Sequence, residues 1–158
     1  MIHGFEVFKV VGSNPHKAKA ILDTPLFAEV QKIESRGRWN VTGECVPTRF
    51  RLQSQHVQCE MIFPWCNTTV EDDWHAFVGC TMARESWNWA GLLTVLQLRV
   101  GTVSSLADFA LDISRSESQD IDGRVVLLFW QIWAARNDVI WNDAHHTSMS
   151  IGRTSLDA

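Results

Sequence analysis

The spacing of apolar side chains predicts a mainly α-helical fold with one long helix near the C-terminal end. From Ile121 to Asn142, apolar residues recur every three to four positions on two sides of the helix, and Asp120 or Asp122 can cap its start. A helix that is apolar on two sides must be packed between other elements or meet a partner. Similar spacing predicts shorter helices at residues 25–33, 47–53 (with Phe50 on the buried side), 71–77, 82–93 and 104–113.

The other segments are predicted to be short or irregular. Residues 5–11 can form a short N-terminal strand, and residues 63–69 are rich in turn formers, with neither helical nor strand periodicity. The tail from His145 is polar and is predicted to be frayed. The adjacent His145 and His146 side chains would point apart on a helix, so they make a poor chelate.

Composition and charge indicate a globular, soluble chain. The 158 residues are 46% hydrophobic and 20% charged, and the net charge of −4 argues against nucleic-acid binding over the whole surface. The start shows no secretory signal, and the most apolar run, Val125–Ala135, is too short to span a membrane. We therefore expect reduced cysteines in the cytoplasm or nucleus. The four cysteines are Cys45, Cys59, Cys66 and Cys80.

Three side chains with metal-binding chemistry follow one another at short spacing. Eight residues separate Cys66 from His75, and four separate His75 from Cys80. Thiolate and imidazole are the ligands that zinc prefers in tetrahedral structural sites, which normally close all four positions. The alternative is core packing, because free cysteine is among the most buried residue types and a histidine can bond a backbone carbonyl.

Short motifs run in a fixed order on both sides of these residues. They include Val46-Pro-Thr-Arg49, Phe63-Pro-Trp-Cys66, Trp74-His-Ala-Phe77 and Ala83-Arg-Glu-Ser-Trp87, and further on Phe129-Trp-Gln-Ile-Trp133 and Ala135-Arg-Asn-Asp-Val-Ile-Trp141. In order and spacing they resemble the zinc-binding domain, and the helical segment after it, of plant LINE-type (non-LTR) retrotransposon reverse transcriptases. The resemblance implies a divergent segment at 1–35, a zinc-knuckle-like domain with flanking helices at 36–93, a helical region at 94–142 and a polar tail at 143–158.

The resemblance also implies a set of zinc ligands from which one member is missing. Cys66, His75 and Cys80 match three ligands of the family, but Phe63 stands where the family has its first cysteine, and a phenyl ring cannot coordinate zinc. Cys59 lies four positions before Phe63 and is a candidate substitute, with core packing as the alternative. We therefore expect weakened zinc binding.

The family context implies an accessory binding role without catalysis. A basic cluster includes Arg36, Arg38, Arg49 and Arg51 and could contact RNA or DNA phosphates. The alternative is a solvent-exposed face whose positive charge is offset by nearby acidic residues. The chain has no Tyr for a polymerase Tyr-x-Asp-Asp turn. Ribonuclease H needs several carboxylates around two metals, and we do not expect that domain because the chain stops about where the family's linker towards it would run. Helix-mediated contact with other retroelement domains or with itself is expected. The alternatives are an inert remnant and an open-site zinc hydrolase in which Glu71 activates water.

Overall fold

The computed structural model describes residues 48–54 and 56–156, and this part of the chain is mainly α-helical, which confirms the predicted fold class. The predicted strand at 5–11 and helix at 25–33 lie outside the described residues. Within the described part, the strand pairing is limited to an isolated antiparallel bridge between Ile62 and Val70. The elements are α1 (Arg49–Ser54), a π-helical turn (His75–Gly79), α2 (Thr81–Trp89), α3 (Leu93–Gln97), α4 (Leu106–Ser116), α5 (Gln119–Asn142) and α6 (Ser148–Leu156).

The long helix α5 forms where the apolar pattern predicted it. Its N-cap is Ser118, whose side-chain oxygen accepts the Ile121 N–H at 3.3 Å, and not one of the predicted aspartates. The helix ends at Asp143, which adopts the left-handed conformation with φ of 50°. The buried apolar residues of α5 lie on one broad face that includes Leu128, Ile132 and Trp133, whereas Trp141 on the other predicted apolar side is 77% exposed.

An aromatic cluster holds the π-helical turn, α2, α4 and α5 together. Trp87 and Phe109 are fully buried, and they meet edge to face with ring centroids 5.7 Å apart. Phe129 of α5 packs edge-on against both Phe77 and Trp87, at 5.1 and 5.7 Å. The Trp87 indole N–H donates to the Phe77 carbonyl at 2.9 Å, so this buried polar group is satisfied. The tryptophans at 87 and 133 therefore belong to the core.

Two further local predictions differ from the structure. The helix predicted at 82–93 is interrupted because Gly91 adopts a φ of +67°, and the chain resumes as α3. The short helix α1 begins near its predicted position, but Phe50 is 51% exposed, not buried. This helix is anchored by polar contacts instead, since the Arg49 side chain donates to the Ile62 carbonyl at 2.6 Å.

The expected frayed tail also differs from the structure, because residues 148–156 form helix α6. Gly152 lies so close to α2 that an added Cβ would approach the Ser86 carbonyl oxygen and the Trp89 Cβ at 2.5 Å. Ser148 donates its hydroxyl to the Glu85 carboxylate at 2.8 Å, and Ile151 is buried. This segment looks polar because its side chains are small or carry hydroxyl groups. The same side chains allow α6 to approach α2 closely. His146, just before α6, lies 2.8 Å from an Asp138 carboxylate oxygen.

Candidate metal centre

A small hairpin carries the first of the predicted ligands. The Phe63 N–H donates to the Thr69 carbonyl and the Glu71 N–H to the Met61 carbonyl, both at 2.8 Å. The Asn67 N–H closes the tip by donating to the Phe63 carbonyl at 2.9 Å, and Asn67 adopts a left-handed φ of 52°. This knuckle, residues 61–71, fixes the backbone on both sides of Cys66.

The other two ligands lie on the segment that follows the knuckle. The His75 N–H donates to an Asp72 carboxylate oxygen at 2.6 Å, which fixes the start of the π-helical turn. At the end of that turn, the Cys80 N–H donates to the His75 carbonyl at 2.8 Å, and Cys80 is also the N-cap residue of α2. One turn of π-helix therefore sets the position of Cys80 relative to His75.

The three side chains converge on one point. The ligand atoms of Cys66, His75 and Cys80 all lie within 4.8 Å of one another, and His75 Nε2 is 3.3 Å from Cys66 Sγ. Within the part of the chain that the structure describes, these three side chains are placed closely enough to hold a metal ion together. Two sulfurs and an imidazole nitrogen are a soft donor set, as zinc and other d10 metals prefer.

The two thiols differ in how readily they ionise. Burial opposes ionisation of Cys66, but hydrogen bonds from the Thr68 hydroxyl and N–H, from His75 and from the Thr69 N–H outweigh it and lower the pKa of Cys66 to about 6. Burial raises the pKa of Cys80 above its ordinary value, although the Met82 and Ala83 N–H groups at the start of α2 donate to its sulfur. One metal-binding thiolate is thus formed at neutral pH, and binding of a cation favours loss of the second proton.

Phe63, the position at which the sequence led us to expect a missing fourth ligand, lies beside the candidate site. Its side chain is fully buried, and its ring meets the His75 imidazole edge-on, with centroids 5.5 Å apart and planes at 88°. The Trp65 ring also packs edge-on against the Phe63 ring, with centroids 5.6 Å apart. The donors of Cys66, His75 and Cys80 could therefore fill three positions of a tetrahedral zinc site.

Cys59, the proposed substitute ligand, is not a member of the converging group. Its thiol lies 3.5 Å from the Arg49 carbonyl oxygen, to which it can donate. The backbone hydrogen bonds of Met61 and Phe63 hold the chain between Cys59 and the knuckle tip.

Glu71 has a structural partner that sequence reasoning missed. Its carboxylate is fully buried and accepts hydrogen bonds from Arg136 Nε at 2.5 Å and Nη2 at 2.7 Å. It also accepts the Arg49 N–H at 3.0 Å. This bidentate pair ties the knuckle to α5, across 65 positions of sequence. In the sequence, the signal for this ion pair was an arginine inside the otherwise apolar stretch of α5. A carboxylate held in this way is not placed to activate a metal-bound water.

The basic cluster is only partly within the described residues, since Arg36 and Arg38 lie outside them. Arg49 is engaged by Glu71, the Ile62 carbonyl and, at 3.7 Å, Glu60. Arg51 pairs with Asp73 at 3.3 Å. Both side chains are about one-fifth exposed, so their charge is directed mainly at acidic neighbours within the chain.

No helix in the described part of the chain is both long and apolar enough to cross a bilayer. Comparison of the chain with models of protein families, with curated proteins and with solved structures found no significant match.

Proposed function

We propose that this chain is a non-catalytic metal-binding module in which Cys66, His75 and Cys80 hold a zinc ion. The observation that supports the proposal is the convergence of three soft donors from the knuckle, the π-helical turn and the N-terminus of α2 within 4.8 Å. A metal at this point would cross-link the knuckle, the π-helical turn and the start of α2. Its main effect would be to stabilise this end of the fold.

Zinc should bind more weakly here than in a site with four protein ligands. Structural zinc contributes on the order of ten kcal/mol to folding when all four positions are closed. Here three donors share that role, and the buried Glu71–Arg136 pair supplies a second, metal-independent connection between the knuckle and α5. We therefore expect the metal-free chain to remain folded but to melt at a lower temperature.

The resemblance described above supports a retroelement context for this module. We propose that it acts as an accessory part of a non-LTR reverse transcriptase, near template RNA or DNA, and contributes no chemistry of its own. The environment of Glu71 supports the non-catalytic role over the hydrolase alternative, because its charge is neutralised by Arg136. The inert-remnant alternative differs in having no metal at all.

Metal content of the purified full chain tests this proposal. We expect about one equivalent of zinc per chain, removed by a chelator with a fall in melting temperature. Cys66→Ser and Cys80→Ser should each lower the zinc content sharply. Cys59→Ser is the matched control, because it removes a thiol outside the converging group, and it should retain the metal. A chain without metal, whose melting is unchanged by zinc or by chelator, would instead support the inert remnant.

A further inference from the structure

The two sulfurs of the candidate site lie close enough to react with each other. Cys66 Sγ and Cys80 Sγ belong to the group whose ligand atoms all lie within 4.8 Å of one another, and both cysteines are free. A disulfide has an S–S bond of about 2.05 Å, so the two sulfurs would need to approach each other by less than about 3 Å. Among the described cysteines, Cys59 is the one outside this group. The geometry therefore favours one specific pairing.

The two thiols differ in their access to solvent. Cys66 is partly exposed, next to the tip of the knuckle, whereas Cys80 is buried with 1% of its surface exposed. A dissolved oxidant therefore reaches Cys66 first, and the Cys80 thiol lies within reach of the oxidised sulfur. An accessible cysteine beside a second one that can resolve it is typical of residues that form a disulfide reversibly.

The contacts that hold the knuckle do not depend on either sulfur. Its base is fixed by the backbone hydrogen bonds from Phe63 to Thr69 and from Glu71 to Met61. The buried pair of Glu71 and Arg136 ties this base to α5. A bond between Cys66 and Cys80 therefore needs movement of the knuckle tip and not of the core.

We propose that Cys66 and Cys80 form a reversible disulfide when the chain meets a peroxide, and that this bond and a bound metal exclude each other. The inference rests on the zinc binding proposed above, and it adds the means by which the metal is released. Thiolates are the form in which cysteines bind a metal, so oxidation of both sulfurs would leave His75 alone to hold it. Zinc has no redox chemistry of its own, so the sulfurs supply the electrons.

The chemistry consumes one hydrogen peroxide per disulfide. The Cys66 thiolate attacks one peroxide oxygen, the O–O bond breaks, and a sulfenic acid and a hydroxide are formed. The Cys80 thiolate then attacks the Cys66 sulfur, the S–O bond breaks, and a second hydroxide leaves as the S–S bond forms. The two sulfurs lose two electrons in total, the peroxide gains them, and both hydroxides take up protons from solvent. A thiol reductant restores both thiolates by exchange.

Titration of the zinc-loaded full chain with hydrogen peroxide tests the proposal. A Cys45→Ser, Cys59→Ser background leaves the two site cysteines as the only thiols. We expect a mass loss of two hydrogens, a Cys66–Cys80 cross-link in the peptide map, and release of about one zinc per disulfide to a chromophoric chelator. A thiol reductant should restore both thiols and zinc binding. The wild-type chain should form the same cross-link, with Cys59 left as a thiol.

Two comparisons separate the cross-link from the metal. His75→Gln removes one metal ligand but keeps both sulfurs, so it should lose zinc and still form the disulfide. In urea the folded arrangement is lost, so the metal-free chain should form the cross-link at least about 10-fold more slowly than in buffer.

Three results would contradict the switch. Zinc binding in a chain whose Cys66 is oxidised while Cys80 stays a thiol, or equal cross-linking rates with and without urea, would overturn the switch and leave the zinc proposal intact. A reduced chain that binds no zinc would overturn the zinc proposal and the release step together.

Discussion

Removal of Arg136 should be among the most destabilising single changes in this chain. Glu71 is 0% exposed and the Arg136 side chain 6% exposed, and two hydrogen bonds of 2.5 and 2.7 Å join them. Arg136→Met would leave the carboxylate buried with only the Arg49 N–H at 3.0 Å and a distant Arg49 guanidinium at 3.9 Å. Loss of one partner of a buried ion pair costs about 3–5 kcal/mol. Arg136 also lies 4.6 Å above the Trp133 ring, which adds about 0.5–2 kcal/mol.

Equilibrium unfolding in urea, followed by tryptophan fluorescence in the metal-free state, measures this cost. The double variant Glu71→Met, Arg136→Met should be destabilised by less than the sum of the two single variants, because it leaves no unpaired buried charge. Arg51→Met is the matched control: its pair with Asp73, at 3.3 Å and partly exposed, should contribute about 1 kcal/mol or less. A loss below about 1 kcal/mol for Arg136→Met, or strict additivity in the double variant, would refute the reasoning.

Three further predictions concern other parts of the chain. Gly152→Ala should cost about 1–3 kcal/mol, measured by thermal melting, because its Cβ would lie 2.5 Å from the Ser86 carbonyl; an unchanged melting temperature would show that α6 is not docked on α2. Trp87→Phe should cost about 2–4 kcal/mol in urea unfolding, because it leaves a gap in the core and an unpaired Phe77 carbonyl; a neutral result would contradict the packing. In metal-free protein, alkylation of Cys66 by iodoacetamide should be half-maximal near pH 6, because only the thiolate reacts, whereas Cys80, with its raised pKa, should need alkaline pH; similar profiles for the two would contradict the environments described.

Features encoded by local spacing were predictable from the sequence. The repeat of apolar residues between Ile121 and Asn142 specified α5, since a helix places positions three and four apart on one face. The order and spacing of Cys66, His75 and Cys80 suggested a common site. The structure brings those three ligands together.

Features that depend on contacts between distant residues were not predictable in the same way. The Glu71–Arg136 pair joins residues 65 positions apart, and neither residue shows its partner in its local sequence. The docking of α6 depends on the absence of a side chain at Gly152, facing α2 more than 60 positions earlier. The division between α2 and α3 depends on the φ of Gly91, since the apolar pattern continues past it.

The most direct test of the metal centre is X-ray absorption at the zinc edge of the full chain loaded with one equivalent of zinc. We expect two sulfur ligands at about 2.3 Å and a nitrogen ligand at about 2.0 Å, and loss of one sulfur in either Cys66→Ser or Cys80→Ser. A spectrum with only nitrogen and oxygen ligands, or one unchanged by these substitutions, would contradict the convergence of the three side chains on a metal.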